Sequence, residues 1–248
     1  MQPQRPYVLS IAGLDPSGGA GLLADIKTFE QNQVYGFGVC SALTVQTDDQ
    51  VLKVQWLDSA EIINQMEPLL KKFKVAACKI GIVQNWEVLL KILKYLKSAL
   101  PGLPIVLDPV LKASAGFTFQ FNLENWQTIL PFLKVITPNY EEWQQLEANQ
   151  NSEESAARLS FNCAILLKGG HHPQKPGTDF LFQNGECTAI PPTLTSIFPK
   201  HGSGCVLSSA IAANLAKGYA LTEACQQAKN YTEQFLSSSP NLLGHHTS

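Results

Sequence analysis

The chain has 248 residues and a mass of 27.1 kDa, which suits one sizeable α/β domain spanning residues 1–248. Eighteen basic and twenty acidic side chains give a formal net charge of -2 with no Lys/Arg stripe, which argues against a nucleic-acid partner. Hydrophobic residues make up 45%, normal for a globular core, and no apolar run suits a signal peptide or a membrane span, so a soluble cytoplasmic protein without membrane contact is expected.

Tyr7 to Gly13 reads as a buried first strand. It runs into the glycine-dense turn Leu14-Asp15-Pro16-Ser17-Gly18-Gly19-Ala20-Gly21 and then a helix pattern from Leu22 to Gln33. A strand, a tight turn and a helix in that order place a ligand at the carboxyl end of the strand. The turn is neither a Walker A loop nor a GxGxxG fingerprint. A β-rich run follows from Gly36 to Val45, then a helix pattern from Ala60 to Phe73. Val75 to Ile80 is a strand, Trp86 to Leu96 a helix, and Ile105 to Leu107 a short strand. Val135-Ile136-Thr137 and Ala164 to Leu167 are two more buried strands, and Asp179 to Ile190 turns at Asn184-Gly185 as an antiparallel hairpin near the sheet edge. Apolar strands alternating with amphipathic helices predict a mostly parallel sheet covered on both faces.

The segment Lys200-His201-Gly202-Ser203-Gly204-Cys205 opens a last apolar helix pattern, rich in Ala and Leu and closed by Gly218. A Gly-Ser-Gly turn feeding a helix points backbone N–H groups outward, and with the positive end of the helix dipole it can cradle a phosphate. Cys205 stands in the same field, which is expected to favour its thiolate. The plain alternative is a packing turn. The other cysteines, Cys40, Cys78, Cys163, Cys187 and Cys225, form no CxxC pair and read as reduced thiols without zinc.

Further candidates fall just after predicted strands. Asp108 before Pro109 reads as a turn former or as a site carboxylate. Asn139 and Glu142 read as a helix cap with its capping box, or as an amide and a carboxylate that hold Mg²⁺ through water. Lys168-Gly169-Gly170 ends a strand with a flexible cationic loop.

In their joint order these pieces resemble the ribokinase-like kinases, and most closely the hydroxymethylpyrimidine/phosphomethylpyrimidine kinases of thiamine biosynthesis. The resemblance rests on Ala12-Gly13, Asp15 to Gly21, Ala24-Asp25, Lys27-Thr28-Phe29, Ala42 to Gln46, Lys79-Ile80-Gly81, Asp108-Pro109-Val110, Thr137 to Glu142, Lys168 to His171 and His201 to Cys205. It implies a three-layer α/β/α sandwich, ATP with Mg²⁺, and a small-molecule substrate whose hydroxymethyl group is phosphorylated. It implies that Gly13, Ala20, Asp25, Gln46 and Val110 surround the pyrimidine. Gly202, Ser203 and Gly204 become the anion hole, and Cys205 the base, where many sugar kinases of the superfamily carry Asp. Asn139 and Glu142 fall at the Mg²⁺/phosphate position and Lys168 at the nucleotide phosphates; similar kinases suggest a homodimer.

The chain departs from this pattern at Lys200, where Thr is usual, at Ile82, where Met is common, and at Lys112 and Ala115. A pyridoxal/pyridoxine kinase of the same fold is the alternative, because that ring also carries a hydroxymethyl group. A catalytically silent binding protein is a third reading, disfavoured because a binding module needs no base on its anion turn.

Overall fold

The computed structural model describes residues 5–111, 125–148, 151–171 and 174–247. In chain order the elements are β1 (Tyr7–Leu14), α1 (Gly21–Gln31), β2 (Tyr35–Gln46), β3 (Val51–Trp56), α2 (Ser59–Lys72), β4 (Val75–Ile80), α3 (Trp86–Ala99) and β5 (Ile105–Leu107). Then come β6 (Val135–Ile136), α4 (Tyr140–Leu146), α5 (Ser152–Leu159), β7 (Ala164–Leu167), β8 (Asp179–Gln183), β9 (Glu186–Ile190), α6 (Ser203–Ala216) and α7 (Leu221–Ser237). Short 3-10 turns cover Trp126–Phe132 and Gly169–His171.

Among the described residues nine strands join one sheet in the order β3-β2-β1-β4-β5-β6-β7-β8-β9. Pairing from β2 through β1 and β4 to β7 is parallel, while β3 and the β8–β9 hairpin add antiparallel edges. Strand side chains alternate between faces, so each strand feeds two cores. Leu9, Ile11, Ile105, Leu107, Ile165 and Leu167 pack with α2, α3, α4 and α5. Val8, Val106, Ala164 and Leu166 face the opposite way, against α1, α6 and α7. The result is the expected three-layer α/β/α sandwich.

Every residue of helix α6 from Val206 to Asn214 is buried. Ala210, Ala212 and Ala213 let it lie close to its neighbours, and enlarging one of them to Leu is expected to cost about 1–3 kcal/mol through overpacking. Helix α2 starts on an Asp58–Glu61 capping box, and the Asn85 side chain caps α3.

Two elements lacked a sequence reading. Strand β3 is a short, largely exposed edge strand, and α7 carries a polar face of Gln, Lys and Glu. Both border the site. Chain order along the sheet reverses between β1 and β4, which opens a crevice at their carboxyl ends where ligands bind in such folds. Lys112 and Ala115 lie outside the described residues.

Candidate active site

A cavity of about 400 Å³ opens at the carboxyl end of the parallel strands. Its wall is built from the two glycine-rich turns, the ends of β1, β2 and β4 to β7, and the start of α6.

Asp15 organises the first turn. Its carboxylate accepts the Ser17 N–H at 2.8 Å, the Ser17 hydroxyl at 2.9 Å and the Ala20 N–H at 2.8 Å. His201 Nε2, on the second turn, lies 2.9 Å from the same group. Burial alone would raise the Asp15 pKa, but the bonds from His201, Ser17 and Ala20 reverse that and hold it at about 2. The turns also touch through backbone. Gly202 sits at φ +76°, and a Cβ there would come within 2.1 Å of the Gly19 carbonyl, so only glycine fits.

Gly202 is the N-cap of α6 and no side chain caps this helix start. Ser203, Gly204 and Cys205 therefore present the first turn of a long helix to the cavity they line. Cys205 is half-buried and free. Here the expectation of a favoured thiolate is overturned. Burial pushes the thiol up to about 11; the Lys79 charge and a Gly21 N–H pull it down, while Asp25 and Asp108 push it further up. Desolvation outweighs the helix field.

Beneath this turn lies a buried ion pair. Lys79 Nζ is 2.8 Å from Asp25 Oδ2 with both side chains fully buried. Asp25 also accepts the Ser10 hydroxyl at 2.5 Å and the Ser209 hydroxyl at 2.7 Å. Burial works against the Lys79 charge, but Asp25, Cys205 and Asp108 more than offset it and raise its pKa above the usual lysine value. Lys79 lines the cavity while Asp25, which holds it, is not among the lining residues.

Opposite the anion turn, Lys168 Nζ lies 2.9 Å from Asp108 Oδ1 and 3.8 Å from Glu142 Oε2. A Cβ on Gly204 would come within 3.2 Å of Lys168 Nζ and 3.3 Å of Asp108 Oδ2, so this cluster abuts the turn. Asn139 and Glu142 do form the capping box of α4, each accepting the other's N–H at 2.8 Å. Both nevertheless line the cavity. Burial raises the Glu142 pKa, and the Lys168 charge acts against it. The donor set fits Mg²⁺: hard carboxylate and amide oxygens, too few for an all-protein cage, matching an ion that keeps waters and takes its remaining ligands from phosphate.

Two further groups of residues complete the wall. Gly13, Ala20, Thr44, Gln46, Val51, Val54, Ile82 and Val110 enclose a mostly apolar niche. Gln46 ends β2 at a bulge opposite Val51, and among the described residues its amide has no protein partner. In the second group Lys229 Nζ donates to the Gly177 carbonyl at 2.6 Å and to Asp179 Oδ2 at 3.0 Å. Glu233 there accepts the Thr193 and Leu194 N–H groups at 2.8 and 3.1 Å.

Of the residues singled out from sequence, the cavity gathers Gly13, Ala20, Gln46, Val110, Asn139, Glu142, Lys168 and Gly202 to Cys205. The sequence reading singled out Lys79 at its strand end but not its pairing with Asp25, and it missed the Asp15–His201 link, Val51, Val54 and the Lys229–Asp179–Glu233 cluster. The α7 residues carried no signal in the sequence.

The phosphomethylpyrimidine kinase family matches residues 15–248. A hydroxymethylpyrimidine/phosphomethylpyrimidine kinase of Rhizobium meliloti (strain 1021) is 36% identical over 94% of this chain and 91% of its own length. The crystal structure of phosphomethylpyrimidine kinase from Clostridium difficile 630 superposes with a TM-score of 0.76 at 30% identity, covering 92% of this chain and 98% of that one. The pyridoxal kinase from Staphylococcus aureus in complex with AMP-PCP superposes with a TM-score of 0.82 at 25% identity, covering 94% and 89%.

Proposed function

This chain belongs to the phosphomethylpyrimidine kinase family, and from that membership we propose that it uses ATP to phosphorylate hydroxymethylpyrimidine and then its monophosphate, on a ribokinase-like fold. The observation that carries the reading is the Lys168–Asp108–Glu142 cluster set against the Gly202–Cys205 turn within one cavity. Phosphoryl transfer needs this combination: an anion cradle, a fixed cation and carboxylates, with little covalent work for the protein.

The aminopyrimidine ring lies in the niche of Gly13, Ala20, Gln46 and Val110, directing its hydroxymethyl oxygen towards Cys205. Gln46 reads the exocyclic amine and the adjacent ring nitrogen, since an amide both donates and accepts. The N–H groups of the Gly202–Cys205 turn hold the oxygens of the transferring phosphoryl group. Lys168 balances the charge that builds on the leaving phosphate. Cys205 takes the hydroxyl proton as the new O–P bond forms and the bond between the γ-phosphorus and the bridging oxygen breaks. Asn139 and Glu142 would hold Mg²⁺, and the ion would supply further charge neutralisation when bound. Lys79, fixed by Asp25, keeps a positive charge beside the sulfur. A cytoplasmic homodimer belongs to the same proposal on the family resemblance.

Mass spectrometry of the pyrimidine after incubation with ATP tests it. One and then two added phosphates support both steps. A ring that never gains phosphate rejects the reading.

A further inference from the structure

The chain beyond α7 folds back over the second glycine-rich turn. The His201 N–H donates to the Leu242 carbonyl at 2.9 Å, and Lys200 Nζ donates to the Ser239 carbonyl. Two consecutive residues leading into Gly202 are thus tied to one returning segment. Lys200 is 5% exposed, and its ammonium lies 5.5 Å over the Phe198 ring. With no carboxylate partner among the described residues, this buried lysine is held by that carbonyl and that ring.

The same segment reaches the first turn. A Cβ on Gly19 would come within 2.7 Å of the Leu243 side chain and 2.6 Å of the His201 ring, so both press on Gly19 next to Ala20. The segment is itself pinned: His246 Nδ1 lies 2.9 Å from the Tyr231 hydroxyl, the Phe235 and His246 rings are 4.8 Å apart, and the His245 N–H donates to Ser238 Oγ at 2.9 Å.

We propose that Ser239 to His246 is a strap that positions both glycine-rich turns for phosphoryl transfer, with Lys200 and Leu243 as its positioning residues. This rests on the kinase reading of the turns. Neither residue touches the reacting atoms. Lys200 acts by fixing the approach to Gly202, and Leu243 by fixing Gly19, whose carbonyl stands against Gly202. Lys200 is then the side chain that fastens this strap.

The test uses the full chain with Leu243→Ala, Lys200→Met and the double variant. Leu243 is 40% exposed, so its truncation is expected to leave folding intact. Each single change is expected to lower kcat roughly tenfold with KM for both substrates nearly unchanged, because small misplacements cost rate rather than binding. The double variant should lose less than the product of the two, since both act through one strap. Hydrogen exchange of the Gly202 to Val206 amides, measured without substrate, should quicken in both single variants. Wild-type kcat and exchange in Leu243→Ala, or losses that multiply fully, overturn the strap. If Lys200→Met does not fold, Leu243→Ala decides by the same two readouts. If the wild type phosphorylates neither ring, the kinase reading fails while amide exchange still decides the strap.

Discussion

His201 Nε2 stands 2.9 Å from Asp15 Oδ2, a contact across 186 positions of sequence that joins the two glycine-rich turns. The carboxylate is buried and shared among four donors, so its charge stabilises the folded chain.

The first prediction follows from that charge. The folded-state pKa of Asp15 is lowered from 3.8 to about 2, so its contribution is complete above the unfolded value and fades as pH falls through the folded one. Asp15→Asn should therefore melt below the wild type at neutral pH, with the gap narrowing as pH drops from about 4 towards about 2. A gap constant over that window would show that Asp15 acts through shape rather than charge.

Cys205 gives a pH signature of opposite origin. With its pKa pushed up to about 11, the thiol is protonated at neutral pH and the thiolate share rises tenfold per unit of pH. The kcat/KM of the wild type should climb between about pH 6 and 9 without a plateau. Cys205→Ala should fold normally and lose about 10²–10⁴-fold in turnover, the usual span for such proton transfer. Near wild-type turnover in this variant would leave Cys205 only a packing role.

The Lys79–Asp25 pair bears on stability. Removing one member of a buried pair strands the other charge and costs about 3–5 kcal/mol. Asp25→Ala should lower the melting midpoint steeply, whereas Asp25→Asn, which keeps the hydroxyl partners Ser10 and Ser209, should cost less. Equal losses would show that the bonds from Ser10 and Ser209 add nothing beyond the charge, and a wild-type midpoint in Asp25→Asn would show that the charge is immaterial.

For Glu142 the capping box and the metal reading make separable claims. Glu142→Gln keeps an oxygen for the Asn139 N–H, so thermal stability should change by less than about 1 kcal/mol. The Mg²⁺ needed for half-maximal rate should rise. An early melt with an unchanged Mg²⁺ response would make Glu142 a cap alone.

Much of this architecture is legible from residue order. Apolar runs such as Ala164 to Leu167 and Val75 to Ile80 coincide with strands because both their faces are buried. The Asn184-Gly185 turn marks its hairpin because both residues take positive φ, 52° and 82°. Strand β3 escaped because its exposed residues follow no single alternation, and α7 because its polar residues face partners distant in sequence. The site was legible where glycine dictates backbone, as at Gly202. It was not where long-range charge decides, as for Asp25, whose seat behind Lys79 depends on the pairing of β1 with β4. The Cys205 thiol misled for a related reason: its helix position is local, but its desolvation comes from the whole fold.

The central claim is that this cavity was shaped for an aminopyrimidine. Comparing kcat/KM for hydroxymethylpyrimidine and pyridoxal with ATP, in the wild type and in Gln46→Leu, tests it most directly. The wild type should favour the pyrimidine. Gln46→Leu should lose at least about tenfold on it, since an unmatched buried polar group costs about 1–3 kcal/mol, and should lose less on pyridoxal. A wild type that prefers pyridoxal would contradict the account and make the chain a pyridoxal kinase of the same fold.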